Sequence, residues 1–398
     1  MSEGINKVIS YKAESAWGVK PSASGAQALR RVTGTFQLEK DVYQSNEINT
    51  SQQVKDFRHG TRRATGSLSG ELSGAAYEDF IAAALRKDFA AGATTGAVVT
   101  IAASEVTGAS SFVRSSGSFI TDGFKIGDIV EVSGFDTAAN NGLFVVVGVV
   151  ALTLTVEHFD ADGALVTEAE GDTVTIRAKG KKTWIPTTGH TDDSFSIEEW
   201  FPDSSISRVS VGQQVDTMAI SLAPNSMATI DFGFLGKNAE PATGSQYFTN
   251  PTAQSGEGTY SGPDGVLIIN GVANRLTTSL SLNVANGIVQ EAVIGSNSIG
   301  AKSRGKVNVT GSLTSIFEND DYLNYFDGET EVSVIYAMRS ADRTEAFGIY
   351  MPRVKLGSGT TDDGEKVILL SSDFQALEDL SGSTVSEATT LRIQDTTL

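Results

Sequence analysis

The chain has 398 residues, a net charge of −18, no Cys and three His (His59, His158 and His190). The missing cysteines exclude a disulfide framework and thiol chemistry, and three scattered His argue against a His-built metal or catalytic centre. With 40% apolar residues, 20% charged residues, 41 Gly and abundant Thr, Ser and Val, it suits a folded, turn-rich β protein of two or three domains whose acidity repels nucleic acid and anionic membrane.

Residues 1–31 read as a mostly polar arm anchored at Trp17. The opening MSEGINKVISYKAESAWG has no apolar signal core, and no run of about 18 apolar residues occurs anywhere, so a chain kept in a cytoplasm, away from membrane, is expected. Thr35–Glu39 alternates as a strand. Asp41–Gly60 is polar and 20 residues long, a length usually reserved for function or disorder. Arg62–Leu72 alternates again, with Leu68 and Leu72 on one face. Ala75–Phe89 has the best helical pattern, its stripe running through Tyr77, Phe80, Ile81, Ala84 and Leu85. Residues 93–180 then give five short β runs, expected to form a small barrel or sandwich placed in a surface loop, where closure entropy tolerates insertion. FSIEEWF, DTMAISLAP and MATIDFGFLG resume the first unit. Lys237–Asp264, rich in Gly, Ser, Thr and Pro, reads as a linker.

After the linker the order returns: a strand at Leu276–Val284, a long connection at Ala285–Lys302, a strand through Val307–Leu313, a short helix at Asp320–Phe326 with Asn319 as its N-cap, and further strands in GETEVSVIYAM, Arg353–Leu356 and Lys366–Phe374. The second unit repeats the first at a constant offset of 245 residues. Thr65, Gly66, Ser67, Leu68 and Tyr77 meet Thr310, Gly311, Ser312, Leu313 and Tyr322. Phe80 and Ile81 meet Tyr325 and Phe326, and Gly60 meets Gly305. Without the 88-residue insert, each copy holds about 155 residues, a sensible single β domain. The boundaries are 1–92 with 181–240, 93–180, 241–264 and 265–398.

Motifs that could carry chemistry fail on spacing or context. GSNSIGAKS (Gly295–Ser303) misses the phosphate-loop spacing by Ala301 and precedes a strand rather than a helix. FDADGALVTEAEGD (Phe159–Asp172) gathers acids without calcium-loop spacing. Glu198 and Glu199 are adjacent, so on a strand they face opposite sides and cannot act as a carboxylate pair. Trp17, Trp184 and Trp200 read as packing anchors. No catalytic, cofactor or metal residues are assigned, and an enzyme is not expected.

The order YKAESAWGVKP, strand, long loop, strand ending in GSLSGEL or GSLTSIF, aromatic helix and β-meander resembles the tail-tube (major tail) proteins of long-tailed, siphovirus-type bacteriophages. The resemblance covers both copies, with KSRGKVNVTGSLTSIFENDDYLNYFDGETEVSVIYAM the closer match. It implies a mainly β fold: two tandem tube domains of barrel or sandwich type, each with one flanking helix, plus the inserted small all-β domain. It implies a virion protein, assembled in the host bacterial cytoplasm, whose six-fold rings stack into a hollow conduit for genome delivery. With two domains per chain, a trimeric ring of pseudo-six-fold symmetry is expected, a hexameric ring being the alternative. Implied partners are further copies in the same and adjacent rings, a tape-measure protein in the lumen, and tail terminator and tail-tip proteins. Genomic DNA transits without specific binding. Glu39, Asp41, Asp216, Asp231 and Asp373 are candidate lumen acids. Gln44, Asn46, Ile48, Val54 and Phe57 are candidate inter-ring contacts, and Tyr11 and Trp17 belong to the clamping arm. The competing class is a β-rich decoration or adhesin protein binding cell-surface glycans, with an enzyme such as a tail depolymerase third.

Overall fold

In the computed structural model, residues 3–106, 108–363, 365–380 and 384–398 are described. The first half comprises β1 (Val8–Ala13), β2 (Gln27–Ala28), β3 (Thr33–Gln44), β4 (Phe57–Glu71), helix α1 (Glu78–Leu85) and β5 (Ala90–Ala91). An excursion follows: β6 (Thr94–Val98), β7 (Ile101–Val106), β8 (Ala109–Arg114), α2 (Phe119–Asp122), β9 (Ile129–Ser133), β10 (Gly142–Val149), β11 (Thr153–Glu157) and β12 (Val174–Ala178). The chain returns through β13 (Lys181–Trp184), β14 (Phe195–Phe201), β15 (Ile206–Leu222), β16 (Thr229–Gly236) and β17 (Asn238–Ala239). The second half is β18 (Gly265–Ile269), β19 (Val272–Asn274), β20 (Thr277–Ala285), β21 (Ile288–Glu291), β22 (Ala301–Arg304), β23 (Asn308–Ile316), α3 (Asp321–Asp327), β24 (Val332–Arg339), β25 (Ala346–Leu356), β26 (Thr360–Thr361), β27 (Leu369–Leu377) and β28 (Arg392–Asp395). The chain is mainly β, as its composition implies.

Both halves follow one strand order. In the first it is β3–β4–β16–β15–β14–β1–β2; in the second, β20–β23–β27–β25–β24–β18–β19, antiparallel throughout. The TGSL stretch explains the sequence repeat. In β4, Gly66 lies under the Phe36 ring and pairs with Phe234; in β23, Gly311 lies under the Phe374 ring. A Cβ on Gly311 would stand 2.1 Å from the Ser281 carbonyl and 2.3 Å from Phe374. The two glycines let an aromatic ring from a neighbouring strand cross the sheet, and Leu68 and Leu313 are buried two residues on.

The two halves share one core. Phe80 of α1 sits at its first-half centre, with ring centroids 4.6–5.6 Å from Tyr11, Phe195, Phe232 and Phe234. Helix α1 is shorter than the expected Ala75–Phe89. Ala75 and Arg86 both take left-handed backbone, at φ 51° and 61°, and Arg86 N–H closes the helix on the Ala82 carbonyl.

Residues 94–178 form a seven-stranded sheet, not five runs, with a separate core that includes Phe112, Phe119, Phe124, Phe144 and Ile176. Its Ile129, Val145 and Phe159 pack on Val266, Ile268, Ile335 and Tyr350, covering the outer face of β18–β24–β25. A charge knot fixes its root: Lys182 lies 2.8 Å from Asp128 and 3.0 Å from Glu387, while Arg392 lies 2.6 Å from Glu387 and 3.2 Å from Asp128.

Two expectations need correction. The N-terminal arm is docked through a strand: β1 pairs with β14 over six residues, with Ile9 and Tyr11 buried, because its alternation places both on the core face. The linker is a strap. Fully buried Glu198 accepts bonds from Tyr247 N–H at 2.6 Å and Phe248 N–H at 2.8 Å, pinning 243–260 over the outer face of the first half. Farther along, Thr252 N–H reaches Ala26 and Tyr260 N–H reaches Leu72.

Gly311→Ala is expected to lower unfolding stability by about 1–3 kcal/mol in denaturant titration, the usual cost of overpacking. Burial alone would raise the Glu387 carboxyl, but Arg392 and Lys182 overcome burial and lower it from 4.5 to about 2. Its stabilisation is therefore complete above pH 4.5 and is lost as pH falls toward 2. Glu387→Gln should flatten the acid limb of the stability–pH curve in that window.

Candidate assembly surfaces and polar face

Alternation splits the sheet β3–β4–β16–β15–β20–β23–β27 into two faces. Phe36, Leu68, Ile230, Phe232, Ile220, Leu282, Leu313 and Phe374 point into the core. The opposite face is built of hydroxyls and sparse acids, one position of every cross-strand row per strand. One row runs Glu71, Thr229, Ser221, Ser281, Ser312, Asp373; the next runs Thr33, Ser69, Asp231, Ala219, Asn283, Thr310, Gln375. Hydroxyls pair across strands, Ser281 with Ser312 at 2.8 Å and Thr314 with Ser371 at 3.2 Å, which stiffens the face without adding charge.

Of the five candidate acids, Asp231 and Asp373 stand on this face. Glu39 shares it near the sheet edge, where Arg63 lies 3.1 Å from Glu39 and 3.4 Å from Asp41. Asp216 is different. It occupies a bulge between Val215 and Thr217, and its carboxylate accepts the Ile288 N–H at 2.8 Å. That carboxylate is spent on the turn after β20, and residue parity alone could not reveal the bulge. Glu71 joins the face unexpectedly.

The two halves meet edge to edge. Thr217–Leu222 of β15 pairs with Leu280–Ala285 of β20 over six residues. Beyond this seam the sheet ends in two edges: β3 pairs only with β4, and β26 only with β27, among the described residues. Each presents unpaired backbone to a partner. Asp362 and Asp363 flank the β26 edge, and Lys40 lies on β3.

The long connections leave one end of the sheet. Residues 41–60 are less irregular than expected, because β3 and β4 continue as a ribbon to the Gln44–Phe57 pair, where Ser45 N–H reaches Asp56 at 3.0 Å. Asn46 is exposed, Ile48 is 101% exposed, Val54 63% and Phe57 51%. Phe57 touches only the His59 ring among aromatic contacts, at 5.3 Å. The second connection contains the β21–β22 hairpin and lies back on the first half. Arg62 N–H bonds to Asn297 at 3.0 Å, and Gln290 Nε2 donates to the Gly236 carbonyl. Asp192 receives Lys302 at 2.7 Å and Arg304 at 3.1 Å. Burial would raise the Asp192 carboxyl, but Lys302, Gln214 and Arg304 lower it overall.

Trp17 is an anchor: its Nε1 donates to the Gly212 carbonyl at 3.0 Å, and the ammoniums of Lys237 and Lys302 sit 4.9 and 5.3 Å from its ring. Tyr11 is buried in its own chain, its hydroxyl donating to Asp79 at 3.0 Å. The remaining motifs have structural occupations. Gly295–Ser303 runs into strand β22, and its Lys302 is ion-paired. Asp160 binds Arg339 at 2.6 Å, and Glu168 binds Asn140 at 2.6 Å. Glu198 and Glu199 face opposite sides, one toward the strap and the other toward Lys7. No cluster of three or more His, Cys, Asp or Glu suited to a metal occurs among the described residues. The strap anchor Glu198, the charge knot and the β26 edge gave no usable signal in residue order.

No curated protein matches the chain. A family model described as phage tail tube protein matches residues 4–376, which spans both half-sheets, the insert and the strap. With a doubled sheet, a charge-sparse hydroxyl face and two open edges already in view, the chain belongs to the phage tail tube protein family, structural components of the virion tail.

Proposed function

We propose that the chain is a self-assembling tube subunit carrying two tube modules, and that three chains close a ring of pseudo-six-fold symmetry that stacks into a genome conduit. The observation that carries this reading is the β15–β20 seam, which is an edge-to-edge joint between two sheets of the same strand order. A closed ring needs one heterologous joint repeated without remainder, and the chain contains one such joint and the two halves of another.

The repeat also gives that joint a register. Both halves have a one-residue bulge at the same place: Ala219 stands four residues after Val215 while their partners differ by three, and Thr360 stands four after Leu356 with the same difference. Thr360 is thus the counterpart of Ala219. Asn283 pairs with Thr310 as Gln37 pairs with Thr65, so Gln37 is the counterpart of Asn283. Since Ala219 faces Asn283 across the internal seam, Thr360 would face Gln37 of the next chain. Pairing β3 with β26 in this way removes both open edges.

The hydroxyl face would line the bore. Phosphate would meet it as a surface with few cations to hold it and a few acids to repel it.

The chain lacks cysteine, so Gln37→Cys with Thr360→Cys gives a clean readout. Oxidation of assembled material is expected to yield covalently closed trimers on denaturing gels. Tubes without the cross-link would sink the register, and six chains per layer in cryo-EM would sink the trimer. Asp231→Asn, Asp373→Asn and Glu71→Gln together should leave tube assembly intact and slow DNA release from reconstituted virions; unchanged release kinetics would remove the repulsive bore.

A further inference from the structure

Three segments of chain meet at the C-terminal end of α1, and they bring cations that lack partners. A cleft of about 510 Å³ opens there, its lining including Arg86, Thr187, His190, Lys306, Gln375 and Glu378. Arg86 caps α1, and its backbone carbonyl accepts the Thr191 N–H at 2.9 Å, which draws the β13–β14 connection against the helix end. Asn286, just after β20, donates through Nδ2 to the Ala84 carbonyl at 3.1 Å, so the second half arrives at the same helix end. Arg304 ends β22, and the next two residues, Gly305 and Lys306, line the cleft. The charges of these groups reach one another. Partial burial lowers the His190 ring from its usual value, and Arg86 and Arg304 lower it further. Burial lowers the Arg304 guanidinium; Asp192 opposes this and Arg86 adds to it.

The hydrogen bonding of the junction is incomplete. The Arg304 side chain is only 7% exposed, yet none of its three nitrogens makes a hydrogen bond among the described residues. Its Nε lies 3.1 Å from Asp192 but out of hydrogen-bond alignment. Asp192 is already engaged, by Lys302 at 2.7 Å and by Gln214 Nε2 at 3.0 Å. The buried Arg86 Nε and the buried Thr191 hydroxyl are unpartnered as well, among the described residues. Buried donors left without acceptors are costly, charged ones most of all, and two neighbouring guanidiniums add like-charge repulsion. One ligand relieves both costs: a compact anion with several acceptor oxygens.

We propose that this junction binds a small tetrahedral oxyanion, of the phosphate or sulfate kind, between Arg86, Arg304 and the Thr191 hydroxyl. Guanidinium forks match such oxygens two at a time, which a lone carboxylate already shared with Lys302 cannot offer them. Arg86 and Thr191 belong to the first half and Arg304 to the second connection. The bound anion therefore fastens the β21–β22 hairpin to the first half. The site lies within one chain and stands apart from ring closure.

The test is calorimetric titration of the full-length chain with inorganic phosphate, against chloride at matched ionic strength. One saturable site per chain is expected at millimolar phosphate or below, with slowed amide exchange at Ala301–Arg304. Arg86→Gln and Arg304→Gln should each weaken binding by about tenfold, the loss of one charged hydrogen bond. Lys366→Gln, at an exposed position outside the cleft lining, should leave it unchanged. Arg86 is half-buried and its side chain makes no hydrogen bond or ion pair among the described residues, so Arg86→Gln gives a folded variant even where Arg304→Gln does not. Sulfate should compete with phosphate and acetate should not; equal competition by acetate overturns the tetrahedral assignment. Absence of saturable binding, or wild-type affinity in Arg86→Gln, overturns the site and leaves its donors to water alone.

Discussion

Every part of this molecule answers to one constraint: a β-strand at a sheet edge carries backbone donors and acceptors that must find partners. The chain meets it internally by joining β15 to β20, a seam in which six residues of one half pair with six of the other. The outward faces are closed differently in the two halves. A strap pinned by Glu198 covers one, and the seven-stranded excursion covers the other through Phe159 and Val145. What stays open, among the described residues, is the outer side of β3 and the short β26. The β26 edge is two residues long with acids beside it, whereas β3 presents a twelve-residue strand.

Much of this was legible in residue order, and the reason is the glycine. TGSL repeats because a ring from another strand must cross at Gly66 and at Gly311, so the physical demand that fixes the fold also leaves a visible mark. The helices were legible as elements because Tyr77, Phe80 and Leu85 fall on one stripe, yet their ends were not, since Ala75 and Arg86 stop α1 through left-handed backbone that neither side chain advertises. The strap was misread for the same kind of reason. Gly- and Ser-rich composition describes local stiffness, while Glu198, some 50 residues away, decides that the segment is held. The polar face was half legible. Parity placed Asp231 and Asp373 together, but the bulge at Asp216 shifts one strand by a residue and spends that acid on a turn.

The charge knot at Asp128, Lys182, Glu387 and Arg392 shows how an insertion becomes part of a fold. Four ionised groups, each at least nine-tenths buried, would be costly alone. Together they neutralise one another where three passes of the chain meet: the start of β9, the return strand β13 and the C-terminal segment. The excursion is thereby held at its root by charge and at its flank by apolar packing, and no glycine-rich hinge separates it from the sheet.

The long strand β15 has a consequence for association entropy. Its first part belongs to the sheet with β14, and its second part lies between β16 and β20, so one strand of the first half reaches the second through continuous pairing. The relative orientation of the modules is then a matter of strand twist rather than of a tether. In the proposed three-chain ring half of the lateral seams would lie within a chain, leaving three joints between chains where separate modules would need six. In that proposed ring the translational and rotational freedom surrendered on closure would fall accordingly, and part of the curvature would be built into each subunit's own backbone.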